Sequence, residues 1–226
     1  MKPRYISDYA DASPADLASV PWGTFTEARQ ECFMALAVTD YTYGSGRGVR
    51  TYTSVSYLPW VETIRQHLNT APMMFDGVGL GGRKGETRKF NVCFLNRYED
   101  ASQHLGWHAD DSPGMNHDHP IAVVSFGQPR EIWWKPQAQS GPVPADQRQL
   151  LEHGSLFIMP AGFQRTHFHR IPKGDRKMEP RVSLTFRHYV PDLKIEDYEA
   201  GLKKATEGLS LDEIERRYKE MVDLDR

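Results

Sequence analysis

The sequence predicts a mainly β domain of the barrel or sandwich type, preceded by helices. Two observations support this fold class. Short segments of strand-like composition alternate with turn residues, and they span residues 90–98, 121–126, 131–134, 154–159, 165–171 and 181–187. In addition, one face of the segment from Phe90 to Tyr98 begins apolar and ends polar, which is typical of a barrel strand near the barrel mouth.

Length and composition indicate a single globular domain with a small extension. The chain has 226 residues, of which 39% are hydrophobic and 26% charged. Its two cysteines, Cys32 and Cys93, form no disulfide or metal motif, so we expect a reduced compartment, the cytoplasm or, in a eukaryote, the nucleus. The sequence has no export signal and no long apolar run, so we expect a protein that is neither secreted nor bound to a membrane. We also expect a monomer.

The N-terminal part is predicted to supply the helices. Ser13 followed by Pro14 predicts a helix start, because serine caps and proline suits the first turn. The glycine-rich segment 41–54 predicts a loop, with a strand following from Tyr52. A second helix is predicted from Pro59, with apolar residues at helical spacing at Val61, Ile64 and Leu68.

Two segments carry uneven charge. Residues 77–89 hold five glycines and four basic residues. This composition suits either a solvated surface hairpin or a loop that binds phosphate groups at the edge of the active site. Residues 192–226 hold 11 acidic against 7 basic residues, and a capping box at Ser210–Glu213 predicts a helix there. This helix would either pack on the barrel or bind a partner, and its acidity would repel nucleic acid.

His108 and Asp110 are candidate metal ligands. In an extended segment, residues two apart project to the same side. A second imidazole from a distant strand would complete a set of two histidines and one carboxylate, which leaves three open positions on a metal and suits Fe(II). His169 and His167 share a predicted strand face, so either could be that ligand. His104 could pair with His108 only in a helix, which the intervening glycine disfavours.

The final predicted strand has two chemically distinct faces. One face is polar throughout and consists of Arg181, Ser183, Thr185 and Arg187. The strand is therefore either an edge strand with a solvated face or an inner strand whose arginines bind a dianion. A buried guanidinium needs a partner, and it can donate two parallel hydrogen bonds to a carboxylate. It begins 12 residues after His169, which favours a shared site.

Six sequence blocks in order resemble the AlkB family of Fe(II)/2-oxoglutarate dioxygenases, which oxidatively dealkylate nucleic-acid bases. The blocks are L-N-R-Y, W-H-A-D-D, P-I-A-V-V-S-F-G, H-G-S-L-F-I-M, H-R-I-P-K and R-V-S-L-T-F-R, within about residues 25–190. The resemblance implies an α+β, mainly β dioxygenase domain at 1–190. Within it, a double-stranded β-helix (jelly-roll) core at about 90–190 follows N-terminal helices and a nucleotide-recognition lid at about 25–90. Residues 191–226 would form an acidic helical C-terminal extension.

The resemblance also implies roles for individual residues. The iron ligands would be His108, Asp110 and His169, with His169 preferred over His167 because it lies in the H-R-I-P-K block. Arg181 would bind the distal carboxylate of 2-oxoglutarate, and Arg187 would lie near its iron-bound end. The implied 2-oxoglutarate contacts are Asn96, Tyr98, Arg181, Ser183, Thr185 and Arg187. The implied contacts with a flipped base are Asp111, Tyr52 and Trp107.

Three positions depart from the family pattern. Ser183 stands where family members commonly have asparagine. The hydrogen bond from this position to 2-oxoglutarate would therefore be rearranged or water-mediated. Ser112 follows Asp111 where an acid is usual, which leaves the base preference open. Ala28 precedes Arg29, which resembles a lid arginine that often follows proline.

The resemblance implies an enzyme that uses Fe(II), 2-oxoglutarate and O2 to remove N-alkyl groups from alkylated DNA or RNA, with aldehyde, succinate and CO2 as products. The alternative is a hydroxylase that uses the same chemistry on another target, through base hypermodification or on a protein side chain or small molecule. A non-catalytic barrel would lack a ligand or an arginine, and this chain retains all of them. A halogenase is disfavoured because Asp110 supplies a carboxylate where that chemistry needs an open iron position.

Overall fold

The computed structural model describes residues 2–25, 28–37, 39–43, 50–70, 89–112, 114–174 and 177–190. The predictions for residues 77–88 and for the acidic extension at 191–226 lie outside these ranges. Within them, no helix is long and apolar enough to cross a membrane.

The described chain is mostly antiparallel β-strand. Its helices are α1 (Pro14–Ala18), α2 (Pro59–Thr70) and α3 (Phe163–Thr166). Its strands are β1 (Arg4–Ile6), β2 (Thr24–Phe25), β3 (Gln30–Ala35), β4 (Asp40–Tyr43), β5 (Arg50–Thr53), β6 (Val92–Tyr98), β7 (Leu105–His108), β8 (Ile121–Gly127), β9 (Arg130–Pro136), β10 (Arg148–Leu151), β11 (Ser155–Met159), β12 (His167–Ile171) and β13 (Arg181–Arg187).

The strands form a major sheet, a minor sheet and a separate hairpin. The major sheet has the order β1-β11-β8-β13-β6-β3-β2, and the minor sheet has the order β10-β9-β12-β7. The inner faces of these sheets share one apolar cluster, which includes Val123 and Phe157 of the major sheet and Ile132 and Trp134 of the minor sheet. This arrangement confirms the predicted jelly-roll core.

The outer face of the major sheet is covered by the N-terminal helices. Val61, Ile64 and Leu68 of α2 are buried in a second cluster with residues of the central strands, so the predicted helix and its apolar stripe are confirmed. The predicted cap of α1 is also present, because Ser13 and Asp16 form a reciprocal capping box. The β4–β5 hairpin packs through Tyr41 and Tyr52 in a third cluster near the start of β6.

Strand β13 lies in the middle of the major sheet, which excludes the edge-strand interpretation. It pairs with β6 on one side and with β8 on the other, and all seven of its residues are buried. The register aligns Arg181 with Tyr98 and Ser183 with Asn96. The polar face predicted from the sequence is therefore an inner face.

Some boundaries differ from those predicted. The segment expected to be a strand from residue 165 begins in α3, and its strand starts only at His167. The strand expected after Tyr52 ends at Thr53. The predicted loop at 41–54 is partly wrong, because its two ends lie in the paired strands β4 and β5. Strands β1, β2, β3, β4, β7 and β10 were not predicted, because they are short or mix charged and apolar residues without clear alternation.

Candidate active site

Two histidines and one aspartate converge at neighbouring strands of the minor sheet. His108 ends β7, Asp110 follows two residues later, and His169 lies opposite His108 on β12. The candidate ligand atoms of the three side chains all lie within 4.8 Å of one another. Nε2 of His108 lies 3.6 Å from Oδ1 of Asp110, and Nε2 of His169 lies 4.0 Å from Oδ2. This donor set suits a divalent metal, and Fe(II) in particular.

Both histidines favour the neutral form that a metal ligand needs. Burial, followed by the charge of His108, lowers the pKa of His169 to about 3. Burial also lowers the pKa of His108 below its ordinary value. Nδ1 of His108 lies 2.8 Å from the carbonyl oxygen of Gly106, and the tautomer that donates this hydrogen bond leaves Nε2 unprotonated toward the cluster. Neutral imidazoles can bind a cation without first losing a proton.

The Asp110 carboxylate is buried and ionised. Burial opposes its ionisation, but the charge of the Arg187 guanidinium holds the pKa of Asp110 below its ordinary value. Nη2 of Arg187 lies 2.8 Å from Oδ2 of Asp110, and the Asp110 backbone N–H donates a hydrogen bond to Oε1 of Gln164 at 3.0 Å. Arg187 therefore contacts the candidate metal ligand itself, which the sequence did not predict.

A pocket enclosing about 310 Å³ opens beside the cluster. It is lined by Arg29, Tyr41, Phe94, Asn96, Leu105, His108, Asp110 and Arg187. Nε of Arg29 donates a hydrogen bond to Oδ1 of Asn96 at 2.8 Å, so the amide predicted to contact the co-substrate is held in the pocket wall.

A buried guanidinium occupies the far end of β13. Arg181 is 1% exposed, and burial lowers its pKa to about 10. Its Nη2 donates to Oγ of Ser125 at 2.9 Å, but its Nε and Nη1 have no hydrogen-bond partner among the described residues. Unused donors on a buried cation are costly, and a carboxylate matches their geometry. Tyr98 lies beside Arg181, and Ser183 and Thr185 continue the buried polar face toward Arg187.

The three residues predicted to contact a flipped base lie outside the lining of the pocket. Asp111 follows Asp110 directly, and burial raises its pKa to about 6, with a further contribution from Asp110. Tyr52 is buried and donates its hydroxyl hydrogen to Oε2 of Glu31 at 2.6 Å. Trp107 is buried, and Nζ of Lys135 and Cζ of Arg170 each lie 4.8 Å from the centre of its ring. None of the three predicted contacts is among the residues that line the pocket, and their roles stay predictions.

His167 takes no part in the cluster. Its ring stacks on Phe163 at 4.4 Å between centroids, and its Nδ1 lies 2.8 Å from Oγ1 of Thr166. The structure brings His169, and not His167, beside His108 and Asp110.

One buried network of charged side chains beside the pocket was not predicted from the sequence. Oε1 of Glu31 lies 2.5 Å from Nη2 of Arg29, and Oε2 lies 3.5 Å from Nη1 of Arg50, on the hairpin that also carries Tyr52. Glu31 directly precedes the apolar run Cys32–Ala35 of β3, and an acid in a buried strand needs partners. Its partner from β5 could not be identified, because the β3–β5 contact is non-local.

Comparison with known proteins links this geometry to one superfamily. The sequence model of the 2OG-Fe(II) oxygenase superfamily matches residues 19–187. The DNA oxidative demethylase ALKBH2 of Homo sapiens is 33% identical over 155 residues, covering 65% of this chain and 54% of that protein. The alpha-ketoglutarate-dependent dioxygenase alkB homolog 3 of Homo sapiens is 36% identical over 180 residues, covering 76% of this chain and 59% of that protein. This chain thus spans little more than half the length of these relatives.

A solved structure has the same fold. The structure of OsALKBH1 aligns with a TM-score of 0.53 at 17% sequence identity, covering 83% of this chain and 96% of that one. At this identity the likeness concerns the fold alone.

Proposed function

This chain belongs to the 2OG-Fe(II) oxygenase superfamily and, within it, to the AlkB family, and we propose that it oxidatively removes N-alkyl groups from nucleic-acid bases. Members of the superfamily use Fe(II), 2-oxoglutarate and O2. The relative at 33% identity is a DNA oxidative demethylase, which supports alkylated nucleic acid as the substrate class.

One observation carries the proposal. The cluster of His108, Asp110 and His169 lies beside an inner strand face that ends in a buried arginine, Arg181, with two unused donors. A metal site with open positions suits a bidentate ligand, and a guanidinium without a carboxylate suits a second acidic group. A dicarboxylate co-substrate supplies both the bidentate metal ligand and the second acidic group in one molecule.

In this proposal His108, Asp110 and His169 hold the iron. Iron, 2-oxoglutarate and O2 together supply the oxidation, in which an N-alkyl carbon gains a hydroxyl group while 2-oxoglutarate becomes succinate and CO2. The hydroxylated carbon then leaves as an aldehyde, and the base regains its N–H. Because the oxidation needs no protein nucleophile, the side chains act by binding, orienting and excluding water.

The remaining site residues orient the reactants. Arg181, with Tyr98 beside it, binds the distal carboxylate, and Asn96, Ser183 and Thr185 supply hydrogen bonds along the co-substrate. Arg187 keeps Asp110 ionised and fixes the direction of its Oδ2. Phe94 and Tyr41 form apolar parts of the pocket wall and limit the access of water.

The substrate side of the proposal is an extruded base. Asp111, next to the metal carboxylate, and Tyr52, on the β4–β5 hairpin, contact this base. A base in a duplex would first have to leave the stack, and a single strand avoids that cost. We further propose that residues 1–190 act as one monomeric dioxygenase domain in the cytoplasm or nucleus.

The proposal is tested by product release. Protein reconstituted anaerobically with Fe(II) is given 2-oxoglutarate and air, and succinate and formaldehyde are measured with methylated and unmethylated DNA and RNA oligonucleotides. Formaldehyde from methylated strands only is the expected result. Succinate without formaldehyde would indicate a hydroxylase with a different target, and no turnover with no iron binding would contradict the enzyme assignment.

The matched control is Asp110→Ala. It removes the carboxylate from the metal site and leaves both candidate histidine ligands and Arg181 in place. Formaldehyde release should disappear in this variant.

A further inference from the structure

Arg130, the first residue of β9, is a buried arginine that the proposed chemistry does not use. Its Nη1 donates a hydrogen bond to the carbonyl oxygen of Asp100 at 3.2 Å. Its Nη2 donates to the carbonyl oxygens of Gln103 at 3.1 Å and Pro172 at 2.5 Å. All three acceptors are uncharged backbone groups, so these hydrogen bonds satisfy donors of Arg130 without neutralising its charge.

Arg130 and Arg181 lie beside the same tyrosine ring. Cζ of Arg130 is 5.8 Å and Cζ of Arg181 is 5.4 Å from the centre of the Tyr98 ring. The two guanidinium carbons are therefore at most about 11 Å apart. Tyr98 is also the cross-strand partner of Arg181. Two buried cations thus flank one uncharged side chain at the end of the site where the distal carboxylate of 2-oxoglutarate is proposed to bind.

The two cations repel each other in the protein without a ligand. Burial is the main cause that lowers the pKa of Arg181, and the charge of Arg130 lowers it further. Burial also lowers the pKa of Arg130, although the nearby acid Asp100 attracts its charge. The Asp100 carboxylate accepts hydrogen bonds from the backbone N–H and the hydroxyl group of Ser102, at 2.7 Å and 2.6 Å. Buried charges of one sign are costly, and an anion that binds beside both cations reduces that cost.

Arg130 lies away from the metal ligands. The carbonyls of Gln103 and Pro172 that it binds lie just beyond one end of the paired strands β7 and β12. His108 and His169 pair with each other at the other end of these strands. A change at Arg130 should therefore affect the co-substrate subsite and leave metal binding in place.

We propose that Arg130 is a second positive charge of the co-substrate subsite, which strengthens the binding of a dicarboxylate without touching it. Arg181 makes the direct contact with the distal carboxylate, and Arg130 attracts the same carboxylate through the buried space around Tyr98. The subsite therefore selects a co-substrate with a charged distal end over one with a neutral distal end. The inference rests on the proposed function, because it takes 2-oxoglutarate as the co-substrate.

Isothermal titration calorimetry of Co(II)-loaded protein without O2 tests this proposal with two variants that differ in charge. Arg130→Gln and Arg130→Lys both keep an N–H donor for the backbone carbonyls and both lose the planar guanidinium, but only lysine keeps the charge. Arg130→Gln should weaken 2-oxoglutarate binding about fivefold to fifteenfold, the effect of a unit charge roughly 10–15 Å away at an effective dielectric constant of about 20. Arg130→Lys should retain most of the wild-type affinity.

Asp100→Asn tests the same charge effect in the opposite direction. It removes the negative charge beside Arg130, and the asparagine oxygen can still accept the hydrogen bonds from Ser102. The variant should bind 2-oxoglutarate about twofold to threefold more tightly, because Asp100 is partly exposed and its charge is partly screened. If Arg130→Gln does not fold, the sign of this change decides the question.

The 5-amide of 2-oxoglutarate is the neutral probe. It has nearly the size of 2-oxoglutarate but no distal charge, and its affinity is measured by displacement of 2-oxoglutarate. Affinity for the amide should be the same in the wild type and in Arg130→Gln.

Arg65→Gln is the matched control. Arg65 is also buried, lies 5.5 Å from the centre of the Tyr57 ring, and donates a hydrogen bond to the carbonyl oxygen of Phe90 at 2.8 Å. It belongs to α2, on the outer face of the major sheet. Arg65→Gln should leave 2-oxoglutarate binding unchanged even where it lowers the unfolding temperature.

Several outcomes would overturn the proposal. Equal losses in Arg130→Gln and Arg130→Lys would make Arg130 a brace for three carbonyls only. Equal losses in Arg130→Gln and Arg65→Gln, weaker binding in Asp100→Asn, or equal losses for 2-oxoglutarate and its amide would also contradict it. A wild type that binds Co(II) but not 2-oxoglutarate would contradict the proposed function, whereas wild-type affinity in Arg130→Gln would contradict the role of Arg130 alone.

Discussion

Arg187 holds one oxygen of the Asp110 carboxylate and leaves the other free for a metal. Nη2 and Nε of Arg187 lie 2.8 Å and 3.1 Å from Oδ2 of Asp110, while Oδ1 faces Nε2 of His108 at 3.6 Å. The two donors fix the position of Oδ2 before any ligand arrives. This contact gives Arg187 a role in building the metal site, in addition to its place in the pocket wall.

Removing this arginine should destabilise the protein. Arg187→Met leaves the buried Asp110 carboxylate without its cation, which should cost about 3–5 kcal/mol of unfolding free energy near neutral pH. Because the native pKa of Asp110 is lowered, the stability gained from this pair is present at neutral pH and is lost as the pH falls through the native pKa. In the variant the buried carboxyl has lost its cation, so its pKa rises and it takes up a proton between pH 7 and pH 4. Urea unfolding of the metal-free variant should therefore show a smaller deficit at pH 4 than at pH 7.

The double variant Arg187→Met with Asp110→Asn is the control for this prediction. Neutralising the carboxylate should restore much of the lost stability, because no uncompensated charge remains. Additive losses in the two single variants would contradict the assigned pair.

Arg181→Met should separate co-substrate binding from stability. Methionine fills much of the same space without a buried charge, so the metal-free variant should be at least as stable as the wild type. Binding of 2-oxoglutarate should weaken by about 2–5 kcal/mol, because its distal carboxylate loses a charged partner. The measurement is the shift of the unfolding temperature on adding 2-oxoglutarate, which should be present in the wild type and absent in the variant. A shift that survives in Arg181→Met would contradict the assigned contact.

The two candidate distal histidines should differ in metal binding. His169→Ala should abolish the absorbance of Co(II) bound at the site, because it removes one of three ligands. His167→Ala should leave the spectrum unchanged, since His167 stacks on Phe163 away from the cluster. The reverse pattern would make His167 the ligand.

Asp111→Asn should raise stability at neutral pH in the metal-free protein. Burial raises the pKa of Asp111 to about 6, above its ordinary value of 3.8, so the folded state holds this proton more tightly than the unfolded state. Its ionised form therefore lowers stability above pH 6, and this cost is absent below about pH 4. The unfolding temperature of Asp111→Asn should exceed that of the wild type at pH 7 and match it at pH 4. Equal temperatures at both values would mean that Asp111 is not desolvated.

Much of this site could be predicted because its residues lie in short, regular patterns. His108 and Asp110 are two apart in an extended segment, and the polar face of β13 repeats at every second residue. The fold class also followed from such local alternation. The resemblance to a known family then selected one meaning for each pattern, including the inward orientation of Arg181.

The remaining features depend on contacts between distant parts of the chain. The contact of Arg187 with Asp110 joins residues 77 apart, and the network of Glu31 with Tyr52 joins β3 to a separate hairpin. The stacking of Arg148 and Arg170 on Trp133 depends on the register of strands β9, β10 and β12. No local pattern encodes these pairings.

The central claim is that one methyl group is removed from a nucleic-acid base for each 2-oxoglutarate consumed. Mass spectrometry of a methylated oligonucleotide, with succinate measured in the same reaction, tests it directly. We predict loss of the methyl group from the strand, equal amounts of demethylated strand and succinate, and neither product with Asp110→Ala. Succinate produced while the strand keeps its methyl group would contradict the claim.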